Sequence, residues 1–313
     1  MKTTPLGKSG VDVSIYSLGA MYFGSRNDRA TSYRMLDRYV DAGGSFIDTA
    51  NIYAWWVEGF RGGESETLLG EWLAERGHRS RLFIASKVGF QYDDVKIGLT
   101  AAQIEAECNK SLRRLGVDTI DLYYAHVDDR ATPQEETLAA FDRLVRAGKV
   151  RFIGASNFTA WRLAQAHALS TQQGWPDYVC VQQRHTFLRP KPGASFGPQL
   201  AATDELIDYC RANQVTLLAY SSLLSGAYQR ADRPVPDEYR GPDADARLAA
   251  LHSVAAAHGV TPNQVILAWL VQQKPPVIPV MAASTDAQMA ENLAALDLVL
   301  TGDEMETLNR AGG

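Results

Sequence analysis

Short apolar runs alternate with longer segments in which apolar residues recur every three or four positions, and this alternation continues along most of the chain. The short runs are typical of buried strands, and the longer segments are typical of amphipathic helices. Eight strand–helix units follow one another, with the strand-like runs at 15–20, 46–47, 82–85, 120–124, 152–155, 179–181, 215–219 and 277–280.

The helical segments have recognisable start and stop signals. Helix-like periodicity covers about 30–41, 64–76, 101–115, 134–147 and 160–169. Thr132 and Thr261 each stand directly before a proline, which predicts an N-cap hydroxyl followed by proline at the first helical position. The same capping spacing begins at Thr100, Thr285 and Thr301, and helix stops are predicted at Gly77, Gly116 and Gly148.

Repeated strand–helix–strand units place neighbouring strands parallel through right-handed crossovers. Eight units in 313 residues favour a (β/α)8 TIM barrel of the α/β class over an open doubly wound sheet, and we expect one domain over 1–313. Two segments interrupt the period. Residues 2–13, with a turn at 7–10, predict an N-terminal β-hairpin at the barrel floor, and 224–243 predict a long loop at the C-terminal face.

Ionisable residues follow three consecutive strand-like runs. Asp48 follows the second run, Lys87 the third and His126 the fourth, and each is 39 residues from the next. Tyr53 lies in the loop after Asp48. Because barrel enzymes carry their working residues at the C-terminal ends of the strands, we expect these side chains to converge.

The four residue types predict a proton-transfer site. A phenol has a pKa of about 10 in water, and a nearby ammonium lowers the pKa by stabilising the phenolate. Asp48 would hold Lys87, and His126 would hydrogen-bond a carbonyl oxygen. Each residue alone has an ordinary structural role, so the hypothesis depends on their joint placement. His126, Asp128 and Asp129 offer metal-ligand types, but no second histidine follows a partnering strand, and we predict no metal.

Composition and charge narrow the function classes. The chain is 46% apolar and 21% charged, with a net charge of −5 and no basic cluster, which argues against nucleic acid or an anionic membrane as its partner. Cys108, Cys180 and Cys210 are far apart and form no CxxC pair, as expected for reduced cysteines in the cytoplasm. The sequence has no signal-peptide pattern and no apolar stretch that would span a bilayer. A cytoplasmic protein with a small-molecule partner is expected, and the oligomeric state stays open.

Four motifs together resemble those of the aldo-keto reductases: DTANIY at 48–53, ASKV at 85–88, DLYYAH at 121–126 and GASNF at 154–158. The similarity extends from 6–14 to 288–292 and is greatest to the bacterial branch that also resembles potassium-channel β subunits. The resemblance implies NAD(P)H-dependent reduction of an aldehyde or ketone to an alcohol. In that reaction Tyr53 would be the general acid, Lys87 would lower its pKa, Asp48 would pair with Lys87 and His126 would orient the carbonyl.

The resemblance also implies a nicotinamide dinucleotide lying across the barrel mouth. Ser156, Asn157 and Gln182 would bond the carboxamide, Tyr220 would stack on the nicotinamide ring, and 221–226 would meet the pyrophosphate. The full cofactor set implied is Met21, Asp48, Ser156, Asn157, Gln182, Tyr220, Ser221, Ser222, Leu223, Gly226, Ser284, Gln288, Glu291 and Asn292.

One departure bears on cofactor choice. NADPH-using relatives carry a Lys or Arg after the last strand, and 280–292 contain neither. A helix N-terminus with Ser284 and Thr285 can still bind phosphate, but it lacks a charge-assisted bond of about 1.5–3 kcal/mol, and Asp286 would add repulsion. NADP(H) is therefore the expectation from the family, and NAD(H) is the alternative.

The substrate pocket is expected at the same barrel mouth. Two adjacent tryptophans in the insertion-like segment 54–63 suit a flat aromatic or sugar-like substrate. Arg184 and His185 stand where many relatives carry Glu and Tyr, so the substrate is not transferred from them. The expected lining is Tyr22, Tyr53, Trp55, Trp56, Tyr92, His126, His185 and parts of 224–243.

Two other classes of function remain open. One is a cofactor-holding regulatory subunit with little turnover, and the other is a barrel lyase or metal hydrolase. The absence of a G-x-G-x-x-G motif after the early strands argues against a Rossmann-type dehydrogenase.

Overall fold

Eight parallel strands form a closed barrel surrounded by helices in the computed structural model, which describes residues 1–313. The predicted (β/α)8 TIM barrel is confirmed. The strands are β1 (Thr3–Pro5), β2 (Asp12–Ser14), β3 (Ser17–Gly19), β4 (Phe46–Asp48), β5 (Phe83–Val88), β6 (Ile120–Ala125), β7 (Val150–Ser156), β8 (Tyr178–Arg184), β9 (Thr216–Tyr220) and β10 (Ile278–Met281). The helices are α1 (Arg29–Asp41), α2 (Glu64–Arg76), α3 (Ala101–Leu115), α4 (Gln134–Arg146), α5 (Ala160–Gln173), α6 (Asp204–Asn213), α7 (Ala244–His258), α8 (Pro262–Val271), α9 (Asp286–Ala294) and α10 (Gly302–Arg310).

The barrel runs in chain order from β3 to β9 and closes through β10, which pairs with both β9 and β3. Val280 is in register with Ser17, and Ile278 is in register with Leu218. Every pair in the barrel is parallel, so all the strands present their C-terminal ends at one face. That face is where the predicted site residues belong.

The antiparallel pair β1–β2 forms the predicted N-terminal hairpin. Its apolar side chains Leu6 and Val13 pack against the first residues of the barrel strands, among them Phe46 and Phe83. Gly7 has a φ of 52°, and a Cβ there would lie 2.1 Å from the Val179 carbonyl oxygen, so the turn requires glycine. The hairpin therefore closes the barrel floor with an apolar layer.

Most of the predicted helix starts are confirmed. Thr261 and Thr301 form complete capping boxes, and Thr100 and Thr285 accept the backbone N–H three residues on. The prediction for Thr132 is wrong, because α4 has Pro133 at its N-cap position and no side-chain cap. The Asp129 carboxylate accepts the Thr132 N–H, and the helix begins two residues later, at Gln134.

The segment 224–243 is irregular, as predicted, apart from short 3₁₀ turns at Leu224–Gly226 and Asp237–Tyr239. After it, α7 adds a helix outside the strand–helix period. No single helix has the length and apolar character needed to cross a membrane. Helices α7 and α8 meet that test only together, as a pair bent by 98°.

Candidate active site

The C-terminal ends of β4 and β5 bring Asp48, Lys87 and Tyr53 into direct contact. The Lys87 ammonium bonds Asp48 Oδ1, donates to the Thr49 carbonyl oxygen at 2.8 Å and lies 3.0 Å from the Tyr53 hydroxyl. The Tyr53 hydroxyl is 3.4 Å from Asp48 Oδ1. Asp48 and Lys87 are completely buried, so water does not screen this pair.

The loop that carries Tyr53 is anchored by a buried carboxylate of α3. Asn51 Nδ2 donates to Glu107 Oε2 at 2.8 Å, and the Asn51 backbone N–H donates to the Lys87 carbonyl oxygen at 3.3 Å. Lys110 binds the other Glu107 oxygen at 2.7 Å. The loop position is therefore fixed from both β5 and α3.

His126 follows β6 and lies beside the Tyr53 ring. The two ring centroids are 6.3 Å apart, and the Phe90 ring contacts the imidazole edge-to-face at 4.6 Å. Burial, with a further contribution from Lys87, holds the pKa of His126 well below its usual value. The imidazole is therefore neutral at neutral pH and keeps one N–H donor.

Burial raises the pKa of the Tyr53 hydroxyl well above its usual value, and the Asp48 carboxylate raises it further. Burial also lowers the pKa of Lys87. That Lys87 lowers the Tyr53 pKa stays a prediction: the ammonium, 3.0 Å from the hydroxyl, favours the phenolate, whereas burial and the Asp48 carboxylate set the net direction of the shift. The phenol keeps its proton at neutral pH, which is the form that donates.

A cavity of about 960 Å³ extends from Tyr53 and His126 across the barrel mouth to α9. The predicted residues that line it are Met21, Tyr22, Tyr53, Trp56, His126, Asn157, Gln182, Tyr220, Ser221, Ser222, Leu223, Gly226, Ser284, Gln288, Glu291 and Asn292. Two residues of the predicted cofactor set lie outside the lining. Asp48 accepts from Gln182 at 2.8 Å, and Ser156 accepts from Asn157 at 3.1 Å.

Three residues predicted for the substrate pocket lie outside this cavity. The Tyr92 hydroxyl donates a hydrogen bond to the Glu107 carboxylate, and only 3% of the residue is exposed. Trp55 lies on the solvent side of its loop and is 39% exposed. His185 lines a separate cavity, where its ring packs on Trp269 and so lies away from the catalytic one.

The sequence profile of the Aldo/keto reductase family matches residues 17–312. The chain belongs to the aldo/keto reductase family. Its members use nicotinamide cofactors, and this aldo/keto reductase is accordingly an oxidoreductase that acts on carbonyl groups.

Three similar proteins illustrate the range of relatives. The uncharacterized oxidoreductase YrpG of Bacillus subtilis is 30% identical, over 99% of this chain and 95% of its own. Norsolorinic acid reductase of Emericella nidulans is 32% identical, over 95% of this chain and 78% of its own. The crystal structure of the thermostable aldo-keto reductase Tm1743 with the inhibitor epalrestat matches with a TM-score of 0.79 and 28% identity, over the whole of both chains.

Asn157 connects three strand ends of this aldo/keto reductase. Its φ is +61°, and its Nδ2 donates to the His126 carbonyl oxygen at 2.9 Å. Its Oδ1 accepts the Tyr220 hydroxyl at 2.7 Å and the Leu200 N–H at 3.0 Å. These bonds already use the amide of Asn157 and fix the Tyr220 ring at the cavity wall.

Sequence reasoning missed the arginines of the cavity. Arg26, Arg184, Arg230 and Arg233 line it, whereas Glu291 is the one carboxylate among the lining residues. Arg230 pairs with Asp232, which lies outside the lining, and Arg26 and Arg233 have no carboxylate within ion-pair distance. The arginine content of 224–243 was visible in the sequence, but spacing gave no sign of the direction in which these loop side chains point.

The start of α9 carries less negative charge than its sequence indicates. Arg34 and Arg38 of α1 pair with Asp286 at 3.6 and 3.1 Å. Gln288 Oε1 accepts the Ser284 N–H at 2.8 Å. The predicted repulsion of a phosphate by Asp286 is therefore reduced, although these half-exposed pairs contribute little to stability.

No group of three or more His, Cys, Asp or Glu side chains is placed to hold a metal ion.

Proposed function

We propose that the protein reduces an aldehyde or ketone to an alcohol, with Tyr53 as the proton donor. The observation that carries the proposal is the 3.0 Å contact between the Tyr53 hydroxyl and Lys87, in a cavity that His126 shares. Tyr53 holds its proton at neutral pH, and the Lys87 ammonium can stabilise the phenolate that remains after donation. The neutral imidazole of His126 donates a hydrogen bond that positions the carbonyl oxygen.

The cavity fits an extended nicotinamide dinucleotide, which supplies the hydride when bound. The turn 221–226 contains three non-glycine residues at positive φ, namely Ser221, Leu224 and Ser225. The amide N–H groups of Ser222 and Leu223 form no bond to another backbone group, so they are available to phosphate oxygens. Arg26 and Arg233 add positive charge to the same cavity.

Within this proposal the cofactor is NADP(H), and NAD(H) is the alternative. Two unpaired cavity arginines, and the pairing of Asp286 with Arg34 and Arg38, support a 2′-phosphate, although 280–292 contain no Lys or Arg. Titration of the purified protein with NADPH and NADH tests the choice. Equal affinity for the two would show that the 2′-phosphate is not recognised.

We further propose an aromatic aldehyde or ketone as the substrate. Aromatic side chains surround the reacting end of the cavity, with Trp56 at 6.0 Å from the Tyr53 ring and Phe90 against His126. One relative bears a name that refers to aryl substrates, the aryl-alcohol dehydrogenase of Pestalotiopsis microspora. Comparing kcat/KM for aryl aldehydes and aldose sugars tests this choice, and a preference for aldoses would contradict it.

The deciding experiment for the reaction is Tyr53→Phe. Turnover is expected to fall by at least about a hundredfold, the range of a lost general acid, while the Kd of NADPH stays within a factor of two. Unchanged kcat would refute the assignment of Tyr53. If the unaltered protein binds NADPH but reduces neither the aryl aldehydes nor the aldose sugars, the protein is better described as a regulatory cofactor-binding subunit than as an enzyme.

A further inference from the structure

A second cavity, of about 450 Å³, lies beside the catalytic one. The residues after β8, the start of α6 and the segment between α8 and β10 form its walls. Arg184 lines both cavities and separates them. Small-molecule sites commonly have volumes of about 300–1,000 Å³, so this cavity has the size of a ligand site.

The lining of this second cavity carries many more positive than negative side chains. Five cationic side chains line the cavity, whereas Asp204 is its one carboxylate; the cations are Arg184, Arg189, Arg211, Arg247 and Lys274. The ion pairs they make elsewhere are long, with Arg189 at 3.8 Å from Asp243 and Arg211 at 4.0 Å from Asp208. Most of the positive charge in this cavity therefore has no close partner.

Arg247 is the most informative of these cations because it is only 3% exposed. Its Nε donates to the Phe187 carbonyl oxygen at 2.8 Å, and its Nη1 donates to the Ala311 carbonyl oxygen at 2.9 Å. Both acceptors are uncharged, and no carboxylate lies within ion-pair distance of the guanidinium. Asp243 is the one carboxylate whose charge acts on Arg247, and it does so from beyond ion-pair distance. A buried charge with only a distant counterion is costly, and an anion in the cavity would supply a close one.

The remaining wall is aromatic. His185 packs on Trp269 with ring centroids 5.9 Å apart at 33°, and Phe187 meets Trp269 edge-on at 5.4 Å. Burial and the neighbouring Arg247 lower the pKa of His185 to about 4, so its ring is neutral at neutral pH. This wall offers a flat apolar surface next to the arginines.

We propose that the second cavity binds an amphipathic organic anion, with its carboxylate towards Arg247 and Lys274 and its planar body against Trp269. The site does not depend on the proposed reaction. Arg184 Nε is buried without a partner, and the guanidinium lies 5.6 Å from the centre of the Tyr220 ring in the catalytic cavity. Occupation of the second cavity is therefore expected to change the KM of the catalytic one.

The test is calorimetric titration of the purified protein with 2-naphthoate and with its neutral analogue, 2-naphthamide. We expect one naphthoate per chain and at least about tenfold weaker binding of the amide, since the amide lacks the charge-assisted bonds. The double variant Lys274→Met and Arg211→Met alters only exposed side chains at the cavity rim. It is expected to weaken naphthoate binding about tenfold without changing the thermal midpoint.

Trp56→Ala is the matched control, because Trp56 lines the catalytic cavity and not the second one. Its Kd for naphthoate is expected to stay within a factor of two. The proposal is overturned if the amide binds as tightly as the acid or if no naphthoate binds up to its solubility limit. Loss of binding in Trp56→Ala but not in the double variant also overturns it, because the probe would then occupy the catalytic cavity.

Discussion

At one end of the large cavity, Lys87, Asp48 and Tyr53 are buried and bonded to one another. At the other end, the arginine rim (Arg26, Arg230 and Arg233) is exposed, and Arg26 and Arg233 have no carboxylate partner. The buried end is held before any ligand arrives, whereas the arginine rim can adjust to a bound phosphate. We therefore expect substitutions at the buried end to change turnover and stability, and substitutions at the rim to change affinity.

The largest effect is expected from Lys87→Met. Turnover should fall at least about a hundredfold because the Tyr53 phenolate loses its stabilising ammonium. The free energy of unfolding should fall by about 3–5 kcal/mol because Asp48 becomes a buried charge without a cation. Denaturant titration and steady-state kinetics measure both. Lys149→Met is the control, since Lys149 binds Asn109 outside the site; equal losses in the two variants would contradict the distinction between the ends.

Arg233→Met should weaken NADPH binding about tenfold and leave kcat within a factor of two, because the rim supplies charge rather than chemistry. The difference from the unaltered protein should shrink as the salt concentration rises. Fluorescence titration of both proteins with NADPH at two ionic strengths measures this difference in affinity. Arg146→Met on α4 removes an exposed arginine that pairs with the buried Asp142 far from the cavity, and it should leave NADPH binding unchanged. A lower kcat in Arg233→Met would contradict the comparison.

Asn51→Ala tests the anchoring of the buried end and should have a smaller effect. Loss of its bond to Glu107 should lower kcat by about three- to tenfold, as expected for one hydrogen bond, with the cofactor Kd unchanged. Asn109→Ala, on the opposite side of α3, is the matched control. If Asn51→Ala changes only the cofactor Kd, the loop does not position Tyr53.

A change of pH within the neutral range is expected to have the smallest effect on kcat. Reduction requires a protonated Tyr53 and a neutral His126, and burial raises the first pKa and lowers the second. The protonated phenol and the neutral imidazole therefore persist from below pH 6.5, the ordinary histidine value, to above pH 10, the ordinary tyrosine value. The upper limit for turnover is set by the Lys87 ammonium, because burial lowers its pKa. The kcat of reduction should be flat across the neutral range, and a step near pH 6.5 would contradict the burial of His126.

The sequence predicted those features that the barrel geometry determines. Asp48, Lys87 and His126 lie at the C-terminal ends of successive parallel strands, so their convergence follows from strand order and register. The hairpin and most helix caps could be predicted because their signals are local. The net shift of the Tyr53 pKa could not be predicted from the sequence, because it depends on how completely the surrounding residues exclude water.

Side-chain direction in the loops was the main source of error. Tyr92 and His185 were expected in the substrate pocket, but the Tyr92 hydroxyl binds the buried Glu107 and the His185 ring packs against Trp269. Arg26 and Arg233 lie on irregular segments, where neither a period of two nor a period of 3.6 indicates a facing side. The same limitation hid the pairing of Asp286 with Arg34 and Arg38.

The closure of the barrel between β3 and β10 has a consequence for biosynthesis. The free edge of Ser17–Gly19 has no partner until Ile278–Met281 has left the ribosome, although β4 to β9 can pair in the order in which they are made. For most of translation the nascent sheet is thus an open, curved ribbon with an unpaired edge at each side. Such edges are prone to pair with other chains, so the yield of folded enzyme is expected to depend on how promptly the last strand arrives.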